Sequence, residues 1–245
     1  MAHRLQWIDD EIANLTSSGL YNRIRTLSSA QGAYLTTALK TCDGLGYEIR
    51  EAVLDAADYG VPQHRRRLFV MGWQHGVLDP SRFAWPSPTH GTDQPWVTVG
   101  QALPHRLGLP LYGPVVYAKN PVVHPSYSSS LLFNGHGRCL ILDRPAKTIS
   151  AQFMGQQHFW DTLQQVPAYH RHLLDGGAPR VGTLKGGSRL SLLEMAVLMG
   201  FDPTMPFVGT DTQVASQIGN AVPPPLARAV GQSLIHALRA SKRPT

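Results

Sequence analysis

Cysteine is nearly absent: the chain has 2 in 245 residues, Cys42 and Cys139, in unlike contexts. That excludes a disulfide framework and a paired-thiol metal site. No apolar run approaches the length needed to cross a bilayer, and Asp9, Asp10 and Glu11 close behind Trp7 deny the N-terminus a signal-peptide core. A soluble, cytoplasmic protein is expected, with no membrane partner and no resident metal. Acidic residues are also scarce, 16 against 22 Lys plus Arg, for a net charge of +6. An excess of that sign favours polyanionic partners. Against these shortages stands a hydrophobic content of 42%, enough to build the core of one large domain or two small ones.

The densest charge lies in Tyr59-Gly-Val-Pro-Gln63-His-Arg65-Arg66-Arg67-Leu-Phe-Val-Met71. Gly60 to Pro62 signals a turn, and Leu68 to Met71 reads as a short buried strand. Alternate residues of an extended chain point the same way, so Gln63, Arg65 and Arg67 share one face while His64 and Arg66 share the other. Arginines at the mouth of a buried strand are costly unless acceptors meet them. Two readings fit these residues: donors converging on a nucleotide, or a solvated strand edge paired to nearby carboxylates.

Around this stretch the periodicity is mixed. Trp7, Ile8, Ile12 and Leu15 suit one or two amphipathic turns. Tyr34, Leu35, Ala38, Leu39 and Cys42 recur at helical spacing, with Ser28 or Ser29 to cap the start and Gly44 and Gly46 to stop it. Cys42 then belongs to the apolar stripe. Tyr47 to Leu54 follows as a strand and Ala56 to Gly60 as a connection, an order that suits an antiparallel hairpin closing the edge of an α/β sheet.

From Gln74 to about Leu184 the composition shifts, and 12 of the 19 prolines fall there. Long helices are therefore not expected. Short β-prone pieces remain: Trp96 to Val99, Leu111 to Tyr117, Cys139 to Leu142 and Lys147 to Ala151. The segment reads as an inserted, loop-rich, partly β domain, whose Arg, Lys, His and Tyr suit a phosphate backbone and base edges. The pair His170-x-His172 lacks a third ligand at recognisable spacing, so metal binding is not expected. Cys139 opens a hydrophobic strand and reads as structural.

Helical signals return at the end. Ser191-Leu-Leu-Glu194 has the form of a capping box, and Leu192, Ala196 and Met199 recur behind it until Gly200. A second helix is expected after Gly219-Asn-Ala-Val-Pro-Pro-Pro225, with Leu226, Val230, Leu234 and Leu238 as its apolar stripe. Gly219 and Asn220 just before that helix suit an anionic ligand on its amide terminus, or an ordinary capped turn. The tail Lys242-Arg243 reads as solvated.

Four stretches in order resemble the C-terminal half of DNA cytosine-5 methyltransferases. They are Tyr59-Gly-Val-Pro-Gln63-His-Arg65-Arg-Arg67, Arg144-Pro-Ala-Lys-Thr-Ile149, Arg189 to Phe201 with Glu194, and Gln217-Ile-Gly-Asn-Ala-Val-Pro-Pro224. The resemblance covers about residues 29 to 238. It implies the C-terminal part of a Rossmann-like, S-adenosyl-L-methionine-dependent methyltransferase sheet with an inserted target-recognition region. Residues 1–73 would belong to the catalytic α/β domain, 74–184 would be the DNA-binding domain, and 185–245 the closing helices.

In such enzymes a Pro-Cys thiolate attacks carbon 6 of a cytosine flipped out of double-stranded DNA, and carbon 5 takes the methyl group. By the family's pattern Arg65 and Arg67 serve the flipped cytosine and the loop beside it, and Gln63 braces them. Asn220, Ala221 and Val222 approach the cofactor. The family's adenosine loop (Phe-x-Gly-x-Gly), Pro-Cys loop and Glu-Asn-Val segment have no counterpart here, and neither cysteine follows a proline. Leu193, Val197, Met199 and Asp202 stand where arginine, arginine, glutamine and proline are usual. The expectation is the C-terminal subunit or fragment of a split or truncated enzyme, inactive without a complementary N-terminal subunit. The alternative is a non-catalytic, sequence-specific DNA-binding subunit.

Overall fold

A computed structural model of the chain describes residues 31–105, 112–125, 131–134, 138–151 and 158–241. The expected turns around Trp7 and the tail Lys242-Arg243 lie outside the described residues. By contacts the chain divides into two compact units. One comprises Met1–Asp55, Arg65–Pro88 and Ala227–Thr245, the other Ala56–His64 and Thr89–Leu226.

In the first unit, α1 (Gln31–Gly44) runs into β1 (Tyr47–Asp55), which pairs antiparallel with β2 (Arg66–Gln74) from Tyr47 opposite Gln74 to Asp55 opposite Arg66. The expected helix, strand and antiparallel hairpin are all present. Alternate residues of a strand share a face, so Trp73 and Met71 lie together on one side. There they pack with Leu78 and Phe83, and with Leu234, Ala237 and Leu238 of α6 (Pro224–Ser241). Trp73, Phe83 and Trp85 add tilted and edge-on ring contacts at 5.2 Å.

Two expectations about this unit need correction. Leu68 to Met71 is not a buried strand: β2 is nine residues long, and Val70 stays 45% exposed. An unbroken apolar run suggests burial on both sides, whereas α6 covers only the face of Trp73 and Met71. The stripe of α1 is likewise imperfect, with Ala38 exposed and Cys42 only half-buried.

The second unit opens with a 3-10 turn, Ala56–Tyr59, where a plain connection was expected. Its sheet has five strands in the order β4 (Leu131–Phe133), β3 (Tyr112–Val122), β7 (Thr183–Arg189), β6 (His158–Asp161) and β5 (Arg138–Cys139). Among the described strands of this sheet, only β5 and β6 pair in parallel. One buried cluster, including Tyr117, Phe133, Phe159 and Leu184, packs against Val166 and Tyr169 of α3 (Val166–Leu174). The ring contacts there run from 4.9 to 6.1 Å.

A second buried cluster joins Val99 of α2 (Val99–Ala102), Met195 and Leu198 of α4 (Leu192–Leu198), and Val214 and Ile218 of α5 (Asp211–Asn220). The Ser191 capping box forms as expected: Ser191 Oγ accepts the Glu194 N–H at 3.1 Å and Glu194 Oε2 accepts the Ser191 N–H at 2.7 Å. Gly200 follows the helix at φ +79, where a side chain would be strained.

The β-prone pieces divide. Tyr112 to Tyr117 lies in a longer β3 that tolerates Pro114 and Pro121 beside register shifts. Cys139 closes a strand of only two residues. Trp96 to Val99 is not a strand: Thr98 instead caps α2 in a second capping box, with Gln101. Lys147 to Ala151 forms no strand; an isolated bridge joins the preceding Ala146 to Gln63. β7 and α5 have no counterpart among the expected elements. No helix among the described residues is long and apolar enough to cross a membrane.

Candidate functional site

The three consecutive arginines share a residue type but not an environment. Arg65, just before β2, is only 3% exposed, and its backbone N–H donates to Asp55 Oδ1 at 2.9 Å. Burial first, then the neighbouring Arg67, holds its guanidinium down to about 10, which leaves it cationic at neutral pH. Arg66 ion-pairs with Asp55, Nε to Oδ2 at 3.3 Å. Arg67 is exposed and turns Nη1 back onto the Arg66 carbonyl at 2.7 Å. The strand-edge reading is realised on one residue of the three. Arg66 is the carboxylate-paired strand edge, and Arg65 with Arg67 forms a concentrated cationic pair. Asp55 was missed by sequence reasoning. Its signal is a carboxylate ending one strand opposite the arginines that open the next, which becomes visible only once the register is known.

Gln63 is fully buried in the second unit. Its Nε2 donates to the Leu198 carbonyl at 3.2 Å and contacts Met199 Sδ at 3.0 Å, while Oε1 accepts the Ile149 N–H at 2.7 Å. The Gln63 amide is thus spent on backbone and sulfur rather than on an arginine side chain. The segment around it is stitched further to residues 146–148. His64 N–H donates to the Ala146 carbonyl at 2.8 Å, Ala146 N–H to the Pro62 carbonyl at 2.9 Å, and Thr148 Oγ to the His64 carbonyl at 2.9 Å. The loop at 89–96 fastens the preceding turn: Asp58 accepts Trp96 Nε1–H on its side chain at 2.9 Å and the Thr89 and His90 N–H groups on its carbonyl. Burial and the Asp58 charge push the Tyr59 phenol up to about 12.

Asn220, Ala221 and Val222 follow a different course from the one expected. Gly219 and Asn220 do not lie directly against the start of the next helix; they form the last turn of α5, and Ala221 is its C-cap. The next helix begins with Pro224 and Pro225, which carry no N–H, so its terminus cannot present a ring of amide donors there. An anion held on that terminus is therefore not expected. What remains is an exposed Asn220, whose Nδ2 donates to Ser216 Oγ at 3.2 Å, beside an exposed Val222. Gly219 is required by close approach: a Cβ there would lie 2.4 Å from the Ala151 Cα and N.

The histidine pair is structural. His170 Nε2 meets the His124 carbonyl at 2.9 Å and His172 Nε2 the Ala178 carbonyl at 3.0 Å. Cys139 Sγ bonds the Leu140 carbonyl at 3.4 Å. His158 is buried, with its Nε2 unbonded among the described residues. Burial, then Arg138 and Lys147, hold its ring down to about 3.

The chain is 27% identical over 225 residues to the type II methyltransferase M.AplI of Arthrospira platensis, covering 88% of this chain and 55% of that protein. It is 31% identical over 215 residues to the type II methyltransferase M.NgoMIV of Neisseria gonorrhoeae, covering 80% and 56%. The chain thus spans about half the length of these curated relatives. The structure of the Entamoeba histolytica methyltransferase EhMeth superposes with a TM-score of 0.51 at 12% identity, over 86% of this chain and 59% of that one. The shared fold is that of an α/β methyltransferase, in line with the fold class expected from sequence. The family model described as C-5 cytosine-specific DNA methylase matches residues 22–109 and 123–236. The two stretches contain the arginine strand, Gln63 and the α5–α6 junction, and the chain belongs to the C-5 cytosine-specific DNA methylase family.

Proposed function

We propose that this chain carries the base-holding and DNA-recognising part of an enzyme that methylates carbon 5 of cytosine in double-stranded DNA. The observation that carries the reading is the Arg65–Arg67 pair, one guanidinium buried and still cationic, the other exposed beside it. Chemistry on a base requires it to leave the stack, and a flipped cytosine then offers acceptors to fork-shaped donors. Arg65 and Arg67 are assigned to the cytosine and the loop beside it. Gln63 acts as a positioning residue, holding the backbones at Ile149 and Leu198 about the segment that leads into Arg65. Residues 74–184 are the proposed target-recognition region, with 1–73 and 185–245 belonging to the catalytic part.

S-adenosyl-L-methionine supplies the methyl group when bound. Asn220, Ala221 and Val222 would hold one side of it, since an exposed amide next to an exposed apolar side chain suits a ligand with both polar and apolar parts. Cys42 lies in a helix, and Cys139 bonds a neighbouring carbonyl; neither follows a proline. The nucleophilic thiolate and the cofactor loop are therefore assigned to residues outside these 245.

The test mixes the purified chain, labelled cofactor and mixed-sequence duplex. No label should enter DNA until a chain bearing Phe-x-Gly-x-Gly and Pro-Cys loops is added, and robust incorporation by the chain alone overturns the reading. A DNA-binding subunit without catalytic use is the second reading, favoured by the net charge of +6. It predicts that Arg65→Ala and Arg67→Ala leave duplex affinity nearly intact and that no partner restores turnover.

A further inference from the structure

A run of identical side chains cannot specify its own register. If β2 slid by one residue, an arginine would still stand at two of the three positions now held by Arg65, Arg66 and Arg67, but each would face the opposite side. Something outside the run must choose which arginine faces where. Asp55 is placed to do so. It ends β1 directly opposite Arg66 and is itself buried. One carboxylate oxygen accepts the Arg65 backbone N–H at 2.9 Å and the other takes the Arg66 Nε at 3.3 Å. A buried carboxylate is stable only when hydrogen bonds and an opposite charge meet it, and losing either leaves the other uncompensated. Both contacts are thus satisfied in one register and lost in its neighbours.

We propose that Asp55 is a positioning residue of the DNA site: it withdraws Arg66 from the substrate and sets the phase of the strand that presents Arg65 and Arg67. The proposal rests on the reading that Arg65 and Arg67 meet DNA. It predicts that the three arginines make unequal contributions to DNA binding, in a way that depends on Asp55.

The experiment follows duplex affinity of the full chain against salt concentration. Each phosphate contact contributes about 0.9 to the slope of log affinity against log salt. Arg67→Gln should weaken duplex binding about tenfold through its lost contact with the cytosine or the loop beside it, while Arg66→Gln should leave affinity and slope unchanged, because that charge is already held by Asp55. Asp55→Asn should raise the slope by about 0.9 as Arg66 is released, so the affinity ratio between 50 and 200 mM salt grows by about threefold. The double variant Asp55→Asn/Arg66→Gln should return to the wild-type slope. A residue with a merely structural role would weaken binding at every salt concentration without steepening the slope. A loss in Arg66→Gln equal to that in Arg67→Gln overturns the proposal. If the wild-type chain does not bind duplex at all, the reading of Arg65 and Arg67 fails instead, and amide exchange decides the role of Asp55. The Arg65 N–H should exchange faster in Asp55→Ala than in Asp55→Asn, which keeps a side-chain carbonyl acceptor. Equal rates overturn the proposal.

Discussion

In the unit that holds β1 and β2, the buried cluster rests on Trp73, Leu78, Phe83 and Ala237, and the strand between the arginines and Trp73 stays largely half-exposed. In the unit that holds β3 to β7, two separate buried clusters close around Tyr169 and Met199, and even Gln63 and Glu194 are sealed from solvent. The arginine run sits in the first, and most of the apolar burial in the second. The difference teaches how a small fold accommodates unlike demands. The Arg66 guanidinium is tolerated where Asp55 and water are within reach, whereas the drier clusters hold Gln63 and Glu194 through hydrogen bonds to nearby backbone groups.

The contrast can be broken first at its densest point. Tyr169→Ala removes a fully buried ring that contacts Tyr117 and Phe133. By analogy with large-to-small aromatic core changes it should cost about 3–5 kcal/mol, read as a shift in the denaturant midpoint. A loss under about 1 kcal/mol would mean this core is not tightly packed.

Next in size is Gln63→Leu, which keeps the volume but strands the Ile149 N–H and the Leu198 carbonyl. About 1–3 kcal/mol is expected for each group left unsatisfied, by the same measurement. A neutral result would show that the site has room to rehydrate.

His158 sharpens the contrast through pH. Its ring is held down to about 3 in the folded chain against an ordinary value of 6.5. Between those values the unfolded chain binds the extra proton, so stability should fall as pH drops from about 6.5 toward 3. His158→Gln should flatten that part of the profile in a denaturation series over pH. An unchanged slope would rule out His158 as its source.

The smallest effect belongs to the first unit. Val70→Thr, at a site 45% exposed on β2, should change stability by under about 0.5 kcal/mol. A loss above about 1 kcal/mol in a thermal melt would show that this face of the hairpin is covered in solution, and the contrast would weaken.

Local chemistry is legible in the sequence. The Ser191–Glu194 box, the hairpin and the stripe of α6 each depend on residues close along the chain, and each forms. α5 also carries a local signal, the Thr210-x-x-Gln213 box, which matches its observed cap and which sequence reasoning missed. β7 carries none. Thr183-Leu-Lys-Gly-Gly-Ser-Arg189 has two glycines and little β preference, and it is a strand because β3 and β6 flank it. The candidate site divides in the same way. Its residue types and order stand in the sequence, but the hydrogen-bond partners of Gln63 and the helix end that holds Asn220 differ from those expected. Both differences concern contacts or boundaries set by the fold around them.

By itself, then, the sequence determined the basic charge balance, the helix caps, the proline-rich middle and the ordered stretches that mark the family. These follow from composition and from interactions that span a few residues. The tertiary structure alone decided which guanidinium of three meets the Asp55 carboxylate in the printed ion pair, which is buried and which is exposed. The run Arg65-Arg66-Arg67 is symmetric in chemistry. Its symmetry is broken only when Asp55, ten residues from Arg65 along the chain, meets it across the hairpin.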